Sequence, residues 1–156
     1  SGAGSELAED VARRKLAAVG LAEAADRLPS EISGGMRKRA GIARALAGDP
    51  EFLFLDEPSA GLDPVTAAGI DRLILDVRDR FGTTIVVITH ELASLHRIAD
   101  DLVFLARGTV AAAGPRAEVE ASEVAEIRDF FERRAPTPGP TPSAFRARLD
   151  APSGGS

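Results

Sequence analysis

Cysteine is absent from all 156 residues, which excludes a disulfide framework and a thiolate metal site. Two histidines are too few for a histidine-rich metal site, and the composition suits a reducing cytoplasm. Long apolar runs are missing as well. The longest, Phe52–Leu55 and Ile85–Ile88, fall far short of the ~20 residues that span a bilayer, so any membrane association is expected through a partner. Positive charge is not in excess: the formal net charge is -5, which argues against a nucleic-acid binder because phosphate neutralisation needs clustered cations. Ser1–Ser5 has neither the basic start nor the apolar stretch of a signal peptide, and a start without Met, rich in Gly and Ser, is expected of a cut or engineered end. What is present, 44% hydrophobic and 28% charged residues, has the profile of one globular domain.

Along the chain, residues 1–5 are expected to be a flexible end, residues 6–134 the folded domain, and residues 135–156 a proline-rich disordered tail. Leu7, Val11 and Val19 among alanine and charged residues predict a weakly amphipathic helix that Gly20 ends. A second helix is predicted from Ser33, its candidate N-cap, to about Ala47, with Gly48-Asp49-Pro50 as the stop. Phe52–Leu55 and Thr84–Thr89 read as strands buried on two faces. Between them Ile70, Leu73, Ile74 and Val77 stand at helical spacing, giving a right-handed parallel crossover. Leu102–Leu105 and Thr109–Ala111, joined through Arg107-Gly108, predict a hairpin, and residues 122–134 a final helix with Val124, Ile127, Phe130 and Phe131 inward. The Ala-Pro-Thr-Pro-Gly-Pro run after Arg134 is expected to be extended and solvated. Beyond it, Phe145 and Leu149 stand one helical turn apart. They suit a short docking segment for a second copy or partner subunit, or an incidental pair in a disordered end.

The strongest local signal is Phe52-Leu53-Phe54-Leu55-Asp56-Glu57, an apolar strand whose carboxyl end delivers two adjacent carboxylates to the crevice where α/β sheets bind ligands. One carboxylate can hold the Mg²⁺ that bridges phosphates, and its neighbour can position and deprotonate an attacking water. Alone, the run also reads as a strand entering a turn. The context decides between these. Ile32-Ser33-Gly34-Gly35-Met36 and the helix to Leu46 resemble the signature motif of ATP-binding-cassette (ABC) proteins, usually Leu-Ser-Gly-Gly-Gln. A helix N-terminus with two glycines lets a phosphate approach unpaired N–H groups and a partial positive charge, and Ser33 adds a hydroxyl donor. The alternative is a flexible Gly-Gly turn. Ser59-Ala60-Gly61-Leu62-Asp63 is similar to the family's loop that crosses a dimer interface, with Asp63 as coupling residue. His90, at the carboxyl end of the second strand, is similar to the switch histidine that contacts the γ-phosphate. His96 has no such position and reads as a surface residue. The basic triplet Arg37-Lys38-Arg39 is expected on the helix surface, contributing phosphate-side electrostatics.

The resemblance covers roughly residues 6–134 and implies an α/β, P-loop NTPase-like ABC ATPase partial domain. That fold has a parallel sheet core, part of a helical subdomain, and a C-terminal hairpin and helix. It implies ATP and Mg²⁺ as cofactors, with Asp56 on the metal, Glu57 and His90 catalytic, and Ser33, Gly34, Gly35, Met36 and Asp63 binding nucleotide. The implied partners are a second ATPase subunit in a homodimer and an integral membrane permease, with the protein peripheral on the inner face of the cell membrane. A phosphate-binding G-x-x-x-x-G-K-[S/T] loop does not occur: Lys15 follows Arg14 and Lys38 follows Arg37. The chain alone is therefore expected to be inactive. Met36 for glutamine, its flank Leu28–Gly35, Gly61-Leu62-Asp63-Pro64 and the ending Ser122–Phe131 resemble MCE/Mla-type lipid transport ATPases. That resemblance implies phospholipid cargo and an MCE-domain partner; the alternatives are a small-solute importer such as an amino-acid importer, or an inert regulatory fragment. Cassette ATPases of DNA repair or translation usually carry coiled-coil insertions or tandem cassettes, and residues 64–134 show neither.

Overall fold

The computed structural model describes residues 2–133, which fall into two compact units divided at Ala99–Asp100. The tail, including Phe145 and Leu149, lies outside the described residues. In the first unit, α1 (Gly2–Ala18) begins within the stretch read from sequence as a flexible end. Gly20, at φ +75°, terminates that region as expected. Only part of the face read as amphipathic is buried: Val19 is fully enclosed while Leu7 is 61% exposed.

Helix α2 (Gly34–Ala45) starts where Ser33 Oγ accepts from the Met36 N–H at 3.2 Å. It closes in a 3₁₀ turn, and Asp49 in the left-handed region before Pro50 turns the chain into β1 (Phe52–Asp56). Helix α3 (Pro64–Phe81) is capped by Asp63 and stopped by Gly82 at φ +64°, whose N–H reaches the Arg78 carbonyl. It leads to β2 (Thr84–Ile88), which pairs with β1 in parallel, Phe52 opposite Thr84 and Asp56 opposite Ile88. This is the crossover the apolar spacing predicts. Helix α4 (Leu92–Ile98), which no sequence signal had marked, follows directly after His90.

The core gathers Val19 just after α1, Ile42 and Leu46 from α2 and its closing turn, Leu53 and Leu55 from β1, and Ile70, Leu73 and Val77 from α3. Each such burial is worth about 1.5–3 kcal/mol. The strands, however, are not buried on two faces. Leu53 and Leu55 point into the core, whereas Phe52 and Phe54 are 58% and 67% exposed, and Val86 and Ile88 also face outward. A parallel sheet buries both faces only when helices cover both. Among the described residues, helices cover one.

In the second unit, β3 (Asp101–Ala106) pairs antiparallel with β4 (Thr109–Pro115) through Arg107-Gly108, both at positive φ as a tight primed turn requires. Two short helices follow: α5 (Arg116–Glu120), which the sequence does not announce, and α6 (Ala125–Phe131), which falls within the helix expected over residues 122–134. Ile127 is fully buried, and Phe130 packs edge-on against both Phe104 and Phe131, with ring centroids 5.4 and 5.3 Å apart. Among the described residues no helix is long and apolar enough to cross a membrane.

Candidate functional site

The site lies at the carboxyl ends of β1 and β2. Alternation along β1 sends Leu53 and Leu55 inward and leaves Asp56, the strand's last residue, exposed. Asp56 and Gly34 line one groove of about 510 Å³, with Lys38, Pro58, Gly61 and Leu62 around them. The carboxylate and the helix start that the motifs single out therefore share one surface.

Glu57 follows in the left-handed region at φ +45°. A residue with a Cβ pays about 1–3 kcal/mol to stay there, so its neighbours must hold it. Every polar group of Glu57 has a partner. Its N–H donates to the Ile88 carbonyl at 2.9 Å, and its own carbonyl accepts from Ala60 N–H at 3.2 Å and Lys38 Nζ at 3.0 Å. A hydrogen bond from a charged donor contributes roughly 1.5–3 kcal/mol, comparable with the strain. The side chain reaches across to the other strand: Oε1 is 2.6 Å from His90 Nδ1, and Oε2 accepts from Thr89 Oγ1 at 3.5 Å.

That contact shapes His90. The hydrogen bond to Glu57, reinforced by the carboxylate's charge, raises the imidazole pKa above its ordinary value against a small opposing effect of burial. With Nδ1 engaged, Nε2 is the ring nitrogen left for another partner, a donor when the imidazole is protonated, on a side chain 74% exposed. Glu57 and His90, 33 residues apart in sequence, thus form one unit.

A buried polar cluster fixes the two loops. Asp71 of α3 is 1% exposed, and its Oδ2 accepts from Ser94 Oγ at 3.0 Å and an Arg97 guanidinium nitrogen at 2.6 Å, both on α4. Ser94 Oγ is also 3.4 Å from Ser59 Oγ, two residues beyond Glu57. The loop after β1 and the helix after His90 therefore hang from one carboxylate. Nothing in the sequence marks Asp71, because an acidic residue on a helix ordinarily faces water.

At the start of α2, Ser33 Oγ takes the Met36 N–H and the Ser33 carbonyl takes that of Arg37, so Gly34 and Gly35 carry the amides left for a ligand. The two glycines differ. A Cβ on Gly34 would meet only side-chain atoms at 3.6 Å or more, whereas one on Gly35 would lie 2.6 Å from Thr66 Cγ2. Gly35 is thus required for α2 and α3 to pack. Met36 packs against the core cluster with its side chain. The Asp63 carboxylate is committed to its own helix: Oδ1 accepts from the Val65 and Thr66 N–H groups at 3.0 Å, and Oδ2 from Thr66 Oγ1 at 2.5 Å. These bonds, the Thr66 hydroxyl first, hold its pKa below the usual value. His96 is exposed on α4, as read.

The basic triplet lies on the surface of α2, with Arg37 and Lys38 lining the groove beside Asp56, and its side chains are also tied down. Each member donates to a backbone carbonyl: Arg37 to Ile32 at 2.7 Å, Lys38 to Glu57, and Arg39 to Val19 at 3.2 Å. No sequence window links positions 38 and 57.

Among the described residues no three His, Cys, Asp or Glu side chains cluster as a metal cage. The donor set still fits Mg²⁺, which binds through one or two carboxylates and completes its shell with phosphate oxygens and water. Asp56, exposed on the groove, would be its protein ligand.

Comparison with known proteins agrees with this geometry. Residues 5–60 match the family model described as "ABC transporter". The chain is 41% identical over 125 residues to the "Probable ribonucleotide transport ATP-binding protein mkl" of Mycobacterium tuberculosis (strain ATCC 25618 / H37Rv), covering 80% of this chain and 35% of that protein. It is 40% identical over 154 residues to the methionine import ATP-binding protein MetN of Bordetella pertussis, covering 96% and 42%. It is 38% identical over 132 residues to the glutamine transport ATP-binding protein GlnQ of Escherichia coli K12, covering 84% and 55%. The chain spans about a third to a half of these relatives' lengths. Among solved structures, the ADP conformation of the ATP-binding cassette MJ1267 superposes with a TM-score of 0.66 at 27% identity, covering 90% of this chain and 49% of that one. The cassette MJ0796 bound to ADP and Pi gives 0.59 at 30% identity, covering 74% and 48%.

Proposed function

We propose, from the premise that the chain carries part of an ABC transporter ATP-binding domain, that it belongs to an ATPase subunit coupling ATP hydrolysis to transport. The observation that carries this reading is the Glu57–His90 contact of 2.6 Å beside the exposed Asp56, at the carboxyl ends of two parallel strands. Glu57 accepts a proton from the attacking water, His90 presents Nε2 to the terminal phosphate, and Asp56 would hold the Mg²⁺ that neutralises phosphate charge. Gly34 and Gly35 offer their amides, and Ser33 its hydroxyl, to a phosphate held by a second subunit, with Asp63 and Met36 flanking that contact. The nucleotide's β- and γ-phosphates need a glycine-lysine loop that these 156 residues do not contain, so the chain alone is inactive. The apolar row Phe52, Phe54, Val86 and Ile88 is the surface on which the rest of a cassette would pack.

The partners proposed are a second copy, forming the dimer, and an integral permease that holds the subunit at the cytoplasmic face of the membrane. For cargo, Met36 and its flanks support phospholipid in an MCE/Mla-type system with an MCE-domain partner. The names of MetN, GlnQ and mkl favour a second reading, the import of a small solute. A gene for an MCE-domain protein beside this one supports the first, and one for a solute-binding protein the second. The catalytic reading is tested in an active cassette that contains this chain and a phosphate-binding loop. Glu57→Gln should retain ATP binding and lose turnover about 10²- to 10⁴-fold. Equal loss of binding and turnover would sink the role given to Glu57.

A further inference from the structure

We propose that Lys38 is a positioning residue for Glu57, its ammonium bonded to the Glu57 carbonyl so that the backbone stays in the left-handed turn from which the carboxylate reaches His90. The bond is 3.0 Å long and spans 19 residues, from the second turn of α2 to the end of β1. Glu57 is held in an unfavourable φ of +45°, and the peptide that follows it is where a rotation back to negative φ would be absorbed. Such a rotation redirects Cβ, and with it the carboxylate that now stands 2.6 Å from His90 Nδ1. The remaining bond to that carbonyl, from Ala60 N–H at 3.2 Å, comes from three residues away and moves with the same loop. Lys38 alone ties it to a rigid helix. Its neighbours cannot substitute, since Arg37 is bonded to the Ile32 carbonyl and Arg39 to that of Val19. Because α2 also begins at Ser33, Gly34 and Gly35, a shift of this helix is transmitted to Glu57 through one side chain.

The inference rests on the reading of Glu57 as the base, but its first test does not. In the full chain, the titration of His90 is followed by long-range ¹H–¹⁵N spectra, with His96→Gln used to separate the two histidines. Lys38→Met should lower the His90 midpoint toward the free imidazole value near 6.5, because the carboxylate leaves. Removing a nearby positive charge would by itself raise that midpoint, so the sign separates positioning from simple electrostatics. Lys38→Arg, which keeps a cationic donor, should restore the parent midpoint. An unchanged or raised midpoint in Lys38→Met overturns the proposal. Should that variant fail to fold, Lys38→Gln is read by the same criterion. In an active cassette, Lys38→Met should lower kcat roughly 10- to 100-fold with KM unchanged, the loss expected from a base displaced by about 1 Å. A loss confined to KM would equally overturn it. If instead Glu57→Gln keeps full turnover while Lys38→Met still shifts His90, the role of Glu57 fails and the positioning contact stands.

Discussion

Replacing Gly35 by alanine sets two opposed effects against each other, and the structure decides between them. Alanine in a helix interior is favoured over glycine by up to about 1 kcal/mol, so an unobstructed site would gain stability. Gly35 is the second residue of α2, in the first turn, where that gain is smaller. Its missing side chain is filled by α3: a Cβ would stand 2.6 Å from Thr66 Cγ2, closer than packed carbon atoms approach. Thr66 cannot turn away freely. Its hydroxyl donates to Asp63 Oδ2, and rotating the side chain breaks that bond, although the backbone N–H groups of Val65 and Thr66 still cap α3 through Asp63 Oδ1. Overpacking of this kind costs about 1–3 kcal/mol, and the expected net loss is about 1–2 kcal/mol. In a unit of this size that is a fall in Tm of roughly 5–15 °C. Thermal unfolding followed by circular dichroism at 222 nm measures it. The second arm is Gly35→Ala combined with Thr66→Ser, which deletes Cγ2 and keeps the capping hydroxyl. The double variant should recover about 1 kcal/mol relative to additivity. If Gly35→Ala raises Tm, or the serine fails to rescue it, the packing argument is refuted and Gly35 serves ligand approach alone.

Other expectations follow from the same contacts. The raised imidazole pKa of His90 means the Glu57–His90 pair contributes stability fully below the unfolded imidazole value near 6.5, and loses it as pH rises through the higher folded value. The Tm deficit of His90→Gln should therefore be larger at about pH 6 than at about pH 9, and a deficit independent of pH contradicts the pair. Asp63 has the opposite sign. Its lowered pKa gives a contribution present above about 3.8 and lost as pH falls through the lower folded value, so Asp63→Asn should flatten the acid limb of the stability curve. In a cassette dimer, Ser33→Arg should block ATP-induced association, because its bulk occupies the approach to the Gly34 and Gly35 amides; normal dimerisation by gel filtration argues against that composite contact.

Local chemistry made much of the site legible. Ser33 is a small polar residue placed just before helical periodicity, and it caps the helix it precedes, since the side-chain oxygen need reach only two or three residues; Asp63 caps α3 in the same way, a role its sequence reading as a coupling residue did not include. The apolar run Phe52–Leu55 and the β-branched run after Thr84 announce two strands, and the helical spacing between them leaves a parallel crossover as their connection. By the same reasoning Asp56, Glu57 and His90 had to lie at strand ends. Helices α4 and α5 escaped notice because each is short, with too few periodic positions to stand out from a loop.

What the sequence determined by itself was the order of elements and the chemical types at their ends, because propensity, capping and periodicity act over a few residues. The tertiary structure decided how those ends meet. Only it places Lys38 on the Glu57 carbonyl, buries Asp71 beneath two loops, closes Thr66 over Gly35 and brings Glu57 within 2.6 Å of His90. It also decided that β1 and β2 cover one face and expose the other, since burial depends on which layers pack on a strand and not on the strand's own composition. Those contacts join residues 19 to 33 positions apart, and no local window carries them, because the pairing energy appears only once the intervening chain has closed into place.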